Sequence, residues 1–396
     1  MRFSERVNRL ELSQTATVMQ EAQALKEAGV DVIDFGPGEP DFPTPDIARQ
    51  AAIEAIQQNF TRYTAVAGIG PLREAIALHL NKRTGSRLNA SNIIVTCGAK
   101  QAIYNLCGAM FGNSDEVLVP RPYWVTFPEA VRLSGAEPRF VDTGMDSGFV
   151  PQSVDLEAGI NDRTRGLIVN YPNNPTGAML KENNLDEIIG FSRKNNLFLL
   201  SDETYDSFYY GNSLPGGGTS FLSRWGSDPD GLAVVGSFSK TYSMTGWRIG
   251  YAAGSPELIE KLSALQSHET GNPVSISQKA ALAVLDEEPA RLKERIDEYR
   301  KRRDLIVDGL NSLPGIDCPR PEGAFYVFPE VRGLMKIKGC RGSVELAGML
   351  LREERIAVVP GAAFGLEGHL RFSYAASMDS IRKGMVRMQR FCQSGR

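Results

Sequence analysis

The sequence predicts an α/β fold, a mostly parallel sheet flanked by helices, joined to a smaller α+β domain. Three observations carry this expectation. From about residue 30 onward, short apolar runs alternate with segments of helical periodicity. The runs are apolar along their whole length, as strands covered on both faces are. After residue 285 the pattern changes to a long charged helix followed by shorter strand and helix signals. At 396 residues the chain is long for one core, so two domains are expected. Residues 47–285 read as the large domain, 16–46 with 286–396 as the small one, and 1–15 as an N-terminal arm.

The runs in order are VDVIDFG, NIIVTCG, EVLVP, RFVD, GLIVNYP, LFLLSD, LAVVGSFS and RIGYAAG. Helical patterns such as QAIYNLCGAMF and LDEIIGFSRKNN lie between them, and LPGGGTS reads as a flexible loop. EEPARLKERIDEYRKRRDLIVDGLNSL has alternating charge and reads as a solvated helix linking the two domains. GAFYVFP, SVELAGMLLREE, IAVVP and HLRFSY complete the smaller domain. No internal repeat interrupts this order.

Composition narrows the function. Lys and Arg number 44 against 47 Asp and Glu, a balance that argues against a nucleic-acid partner. No apolar run approaches the ~18 residues of a membrane span. The first residues lack an apolar signal core, and Glu5 and Glu11 argue against a transit peptide, so a cytoplasmic location is expected. Five cysteines without CxxC spacing and three scattered histidines indicate neither a metal site nor a disulfide framework.

Ligands of an open parallel sheet bind at the carboxyl ends of its strands. Five strands here deliver polar or aromatic residues to that rim: NIIVT leads into CGAKQ, EVLVP into RPYW, GLIVN into YPNNPTG, LFLLS into DETY, and LAVVG into SFSKT. Alone, NNPTG is most often a turn and an aspartate after a strand a helix cap. Five together on one rim indicate a site. The N–H groups of Gly98, Ala99 and Lys100, at a helix start, suit a phosphate. Ser237, Ser239 and Arg248 could complete that cradle. The stretch is no Walker loop, because Ser239 stands where a glycine must precede the lysine, and no GxGxxG follows the first strand. A cofactor with one phosphate, an aromatic ring and a lysine-reactive carbonyl remains.

SFSKTYSMTGWRIGY, NYPNNPTG, SDETY, GEPDFPTP, YTAVAGIGPLREA and HLRFSYAAS resemble the class I aminotransferases among the fold-type I pyridoxal 5'-phosphate enzymes, most closely their bacterial aspartate aminotransferase branch. The likeness spans nearly the whole chain. It implies that Lys240 binds the cofactor covalently and moves the substrate proton. Asp202 would keep the pyridine nitrogen protonated, and Asn174 and Tyr205 would bond the ring oxygen. Trp124 would stack on the ring, with Tyr123 as the second choice. The phosphate would rest on Gly98, Ala99, Lys100, Ser237, Ser239 and Arg248. Tyr63 would reach the phosphate of a neighbouring subunit, which implies a homodimer with shared active sites. Arg371 would grip the substrate α-carboxylate, helped by the Gly38 N–H, with Trp124 and Asn174 beside it.

Substrates implied are an amino acid and a 2-oxo acid exchanged by a ping-pong route. LQSHETGNPVSISQ contains no arginine for a distal carboxylate, so Lys100, Thr17 or His268 is left for that task. The lysine of GAK favours aspartate or glutamate with 2-oxoglutarate or oxaloacetate; aromatic substrates and prephenate stay open. GAK departs from the usual GGK, and Ala99 slightly narrows the phosphate cup. A carbon–sulfur β-lyase on the same fold would share nearly every cofactor residue. A PLP-fold regulator would need a DNA-binding domain for which the chain leaves no room.

Overall fold

The computed structural model describes residues 3, 5–8, 10, 14–211, 219–226, 229–285 and 289–394. Of the expected LPGGGTS loop only Thr219 and Ser220 fall within these. Twelve strands occur among the described residues. They are β1 (Ile33–Asp34), β2 (Ile93–Thr96), β3 (Glu116–Arg121), β4 (Glu137–Asp142), β5 (Thr164–Asn170) and β6 (Phe198–Asp202). The rest are β7 (Leu232–Ser237), β8 (Gly250–Ala253), β9 (Tyr326–Val327), β10 (Ile356–Ala357), β11 (Val359–Pro360) and β12 (Leu370–Ser373).

Seven strands form one sheet in the order β2-β8-β7-β6-β5-β3-β4, flanked by helices. Alternate residues of each strand enter different cores. Leu118, Leu167, Val169, Leu199 and Val234 belong to one, and Val117, Val119, Ile168, Leu200 and Val235 to the other. Because both faces are covered, both alternating sets are apolar, which is why the strands read as unbroken apolar runs.

Only β8 runs against the rest, antiparallel to both β2 and β7. The connection from β7 to β8 holds a single helical turn, Phe238–Thr241, and one 3₁₀ turn, Thr245–Trp247. A parallel return needs a crossover helix, and none is present there, so the chain comes back antiparallel. Asn170 pairs with Asp202 in register, while Gly250 pairs with both Ser237 and Thr96. These residues therefore share one rim.

VDVIDFG contributes only the short β1, which pairs parallel with β10 rather than joining the large sheet. β11, β12 and β9 make a separate antiparallel sheet. A third core gathers Ile33, Phe35, Val327, Phe372 and Phe391, and reaches across to Tyr205 and Phe208. The long charged helix, Pro289–Asn311, corrects one expectation. It is not merely a solvated connector, since Ile296, Tyr299, Ile306, Val307 and Leu310 bury one face in this core. Arg302, 5% exposed, bonds Asp41 at 2.7 Å and Glu298 at 3.0 Å, so part of its charge serves internal contacts.

Candidate active site

A cavity of about 290 Å³ opens on the shared rim, between the large sheet and the third core. Each wall follows from local chain chemistry. β2 ends at Thr96, and the chain turns through Gly98 (φ +83°) into the helix Ala99–Met110. A Cβ at Gly98 would lie 2.6 Å from Arg248 Nη2, so glycine there lets the guanidinium close on the helix start. The Gly98 N–H donates back to the Thr96 carbonyl at 2.8 Å. That leaves the N–H groups of Ala99 and Lys100, with no side-chain cap, as the helix-start donors at the cavity. Arg248 itself adopts φ +51° and donates to the Thr245 carbonyl at 3.0 Å. It has no carboxylate partner among the described residues.

Ser237 caps the short helix that follows β7, its hydroxyl accepting from the Ser239 N–H at 3.0 Å. That turn aims Lys240 inward, where Nζ donates to the Gly38 carbonyl at 2.5 Å. Burial pushes the Lys240 amine down to about 8; Glu39 and Asp202 oppose, and Arg248 and Arg371 assist. Asp202 closes β6. Its carboxylate accepts the Thr204 N–H at 3.0 Å, and burial raises it to about 6. Asn170, opposite it on β5, donates to the Asp202 carbonyl at 2.9 Å and accepts the Asn174 N–H at 3.0 Å. The NNPTG turn is thus pinned to the strand end.

Arg371 on β12 is 6% exposed and faces no carboxylate among the described residues. Its Nη1 donates to Asn174 Oδ1 at 3.0 Å and its Nη2 to the Gly36 carbonyl at 2.5 Å. Its Nε is buried without a partner. The guanidinium carbon lies 4.6 Å from the Tyr326 ring centre and 5.0 Å from that of Phe364. Burial lowers its pKa from the usual guanidinium range. With Asn174 Oδ1 occupied, the NH₂ end of that amide is the end available to a ligand. Tyr205 also borders the cavity, its hydroxyl 2.7 Å from that of Tyr326.

Lys100 Nζ stands 5.1 Å over the Trp124 ring, and burial followed by the Arg248 charge lowers its pKa. Both border the cavity, whereas Tyr123 stacks on Phe140 at 5.0 Å and does not. Tyr63 is 97% exposed and His268 is exposed; neither borders this cavity. The Thr17 side chain lies outside the described residues. Sequence reasoning missed Asn170, Thr204, Tyr326 and Phe364 as cavity residues. Asn170 was visible as the polar end of GLIVN. Tyr326 and Phe364 sit in apolar motifs that read as core, and no local signal set them apart.

The described lining carries four cations, Lys100, Lys240, Arg248 and Arg371, against one carboxylate, Asp202. Such a site attracts a ligand with more than one anionic group, and the lowered Lys240 amine is a readier nucleophile than an exposed lysine. No cluster of His, Cys, Asp or Glu among the described residues is placed to hold a metal ion. No helix among them is long and apolar enough to cross a membrane.

Comparison with known proteins shows the family. The family model for aminotransferase class I and II matches residues 30–385. A probable aspartate/prephenate aminotransferase of Aquifex aeolicus is 39% identical over 98% of each chain. An aspartate aminotransferase of Bacillus subtilis is 36% identical over 99% of each. Among solved structures, a single mutant of Thermus thermophilus aspartate aminotransferase superposes with TM-score 0.92 at 38% identity, covering 99% of this chain and all of that one. A Thermus thermophilus aspartate aminotransferase with maleate matches at TM-score 0.90 and 38% identity, with the same coverage. With the fold, the rim and these matches in agreement, the chain belongs to the class I and II aminotransferases.

Proposed function

We propose that this aminotransferase uses pyridoxal 5'-phosphate to exchange the amino group of a dicarboxylic amino acid, aspartate or glutamate, with 2-oxoglutarate or oxaloacetate. The observation that carries the reading is Arg371: a buried guanidinium with an orphaned Nε and no carboxylate partner among the described residues, in one cavity with a lysine pushed down to about 8. A buried cation of this kind calls for an anionic ligand.

The residues present fit the cofactor. Ala99 and Lys100 N–H, the hydroxyls of Ser237 and Ser239, and Arg248 supply donors for a phosphate at the end cleared by Gly98. Asp202, buried and without a cationic hydrogen-bond partner among the described residues, would hold a proton at the ring nitrogen. The Asn174 amide and Tyr205 would donate to the ring hydroxyl oxygen, and Trp124 would cover the ring face. When bound, the cofactor supplies an aldehyde that captures an amine and a ring that accepts the electrons released at the substrate Cα.

Lys240 Nζ, its amine lowered by burial, would take the proton from the substrate Cα and later give it back, the chemistry the bound cofactor makes possible. Arg371 binds the α-carboxylate and fixes which Cα bond points at the lysine, with the Gly38 N–H assisting. Lys100, over Trp124 and beside Arg248, would hold the distal carboxylate. Both half-reactions use the same cavity, so the oxo acid enters after the first product leaves. The Thermus thermophilus relative solved with maleate supports a four-carbon dicarboxylate. The aromatic Trp124 face beside the Lys100 cation also suits a ring-bearing dicarboxylate, and relatives named aspartate/prephenate aminotransferase keep prephenate as the second reading.

We further assign residues 16–46 and 286–396 to a small domain and 47–285 to a large one. The β1–β10 pairing and the separate third core support that division. Tyr63, exposed and outside the lining of this cavity, fits a reach into the site of a second copy in a cytoplasmic homodimer.

A visible absorbance spectrum tests the reading. After loading with pyridoxal phosphate, aspartate or glutamate should bleach the visible band and 2-oxoglutarate should restore it. Bleaching by aromatic or sulfur amino acids alone would refute the dicarboxylate assignment, and absence of the band would refute the cofactor. Release of pyruvate and ammonia from cysteine conjugates, without band recovery by oxo acids, would point to a β-lyase instead.

A further inference from the structure

Tyr205 and Tyr326 meet where the large sheet abuts the third core. Their hydroxyl oxygens lie 2.7 Å apart, and among the described residues each hydroxyl has the other as its only hydrogen-bond partner. Both rings are held in place by Phe325, whose centroid is 5.4 Å from that of Tyr205 and 4.8 Å from that of Tyr326. The two tyrosines stand edge to face at 5.6 Å. The Gly38 backbone presses on the Tyr326 hydroxyl from another side, since a Cβ there would lie 2.5 Å from that oxygen. The Arg371 guanidinium sits 4.6 Å from the Tyr326 ring centre.

A phenol has one proton to give. When two hydroxyls bond, one spends its proton on the contact and the other keeps its own for a third group. Arg371 favours loss of the proton from both phenols, but it is the leading charge on Tyr326, 4.6 Å from its ring centre, while Asp202 opposes it at Tyr205. Tyr326 is therefore the more acidic phenol and the stronger donor of the two. Tyr205 then accepts and keeps its proton, and Tyr205 borders the cavity. Burial raises both phenols, so neither is charged at neutral pH. The charged groups that face the pair are Arg371 from β12 and, for Tyr205, Asp202 at the end of β6.

We propose that Tyr326 is a positioning residue for Tyr205: its hydroxyl donates to the Tyr205 oxygen and so aims the Tyr205 proton into the cavity, at the ring hydroxyl oxygen of the cofactor. A donor that itself accepts a hydrogen bond is strengthened by it. Tyr326 thereby tunes how firmly Tyr205 stabilises negative charge on that oxygen. The inference rests on the cofactor reading above and adds to it a residue from the C-terminal sheet that sequence motifs do not mark.

Tyr326→Phe keeps the ring and removes the donor. The readout is the pH midpoint of the visible absorbance change of the cofactor-loaded protein. A weaker Tyr205 donor leaves the ring oxygen more basic, so the neighbouring lysine-bound nitrogen keeps its proton to higher pH. The midpoint should rise by about half a unit, the scale of one hydrogen bond's net contribution. In a Tyr205→Phe background the same substitution should leave the midpoint where it was. An equal shift in both backgrounds, or none in the Tyr205 background, overturns the inference. Should Tyr326→Phe fold poorly, 3-fluorotyrosine in place of Tyr326 provides a more acidic phenol of nearly the same size. It should lower the midpoint, and a rise or no change overturns the inference. Wild-type protein with no visible band after loading overturns the cofactor reading along with it; a wild-type band with an unmoved Tyr326→Phe midpoint overturns the positioning role alone.

Discussion

Lys240 and Arg371 are both cations held where water is scarce, and burial acts on them differently. A lysine can shed its proton, and burial brings Lys240 to about 8. A guanidinium cannot, so Arg371 stays charged and waits for an anion. Lys240→Ala should leave a folded protein whose turnover falls by about a thousandfold or more, measured by coupled assay, with the visible band lost. Arg371→Ala should keep the band and lower kcat/KM for amino acids by about a hundredfold, chiefly through KM, as expected for losing one partner of a buried charge pair. The lysine also sets a pH dependence. Its amine is protonated below about 8, so the rate of band growth on adding cofactor to cofactor-free protein should fall as pH drops through that value. A flat rate between pH 6 and 9 would contradict the assignment. Asp202 has the opposite sign in stability. Raised to about 6, it holds in the folded state a proton that the unfolded chain has lost, so its contribution declines as pH climbs from the ordinary carboxylate range through about 6. Asp202→Asn should therefore raise the melting temperature of cofactor-free protein at pH 7.5 by a few degrees, on the order of 1–3 kcal/mol, while activity is lost.

At the scale of elements, the site depends on the turns at the strand ends. The turn after β2 needs Gly98 for two reasons, its φ of +83° and the closeness of Arg248. Gly98→Ala should cost ~1–2 kcal/mol in backbone strain and displace the guanidinium. Cofactor affinity should then drop roughly tenfold or more in a fluorescence titration, with little change in kcat at saturating cofactor. The connection after β7 shows the same economy of chain. A single helical turn capped by Ser237 holds Lys240, and Arg248, itself in the αL conformation after the Thr245–Trp247 turn, comes back toward the helix start after β2.

For the molecule as a whole, the cavity borrows walls from distant parts of the chain. Gly36 and Gly38 come from the loop after β1, Arg371 from β12 and Tyr326 from β9. Asp41, in the same loop as Gly38, is tied to Arg302 and Tyr299 on the long helix. Tyr63 is among the expected site residues that do not border this cavity. If it serves a second copy, mixing inactive Lys240→Ala with impaired Tyr63→Ala protein under subunit exchange should restore activity. Hybrid dimers would contain one site with both residues intact. Mixtures no more active than the sum of their components would rule out sharing.

The sequence by itself marked the seven strands of the large sheet, because strands covered on both faces must be apolar throughout and therefore stand out, though VDVIDFG read the same way and joined β10 instead. It also marked Lys240, Asp202, Asn174 and Arg371, whose motifs are local: each follows a strand or sits within one, and polar residues there contrast with the apolar run. Tertiary structure alone decided the burial of one face of the charged helix and the meeting of Tyr326 with Tyr205. Those outcomes depend on contacts between residues far apart in the chain. An apolar motif such as GAFYVFP carries no trace of whether its tyrosine hydroxyl will face a cavity until the partner wall is in place.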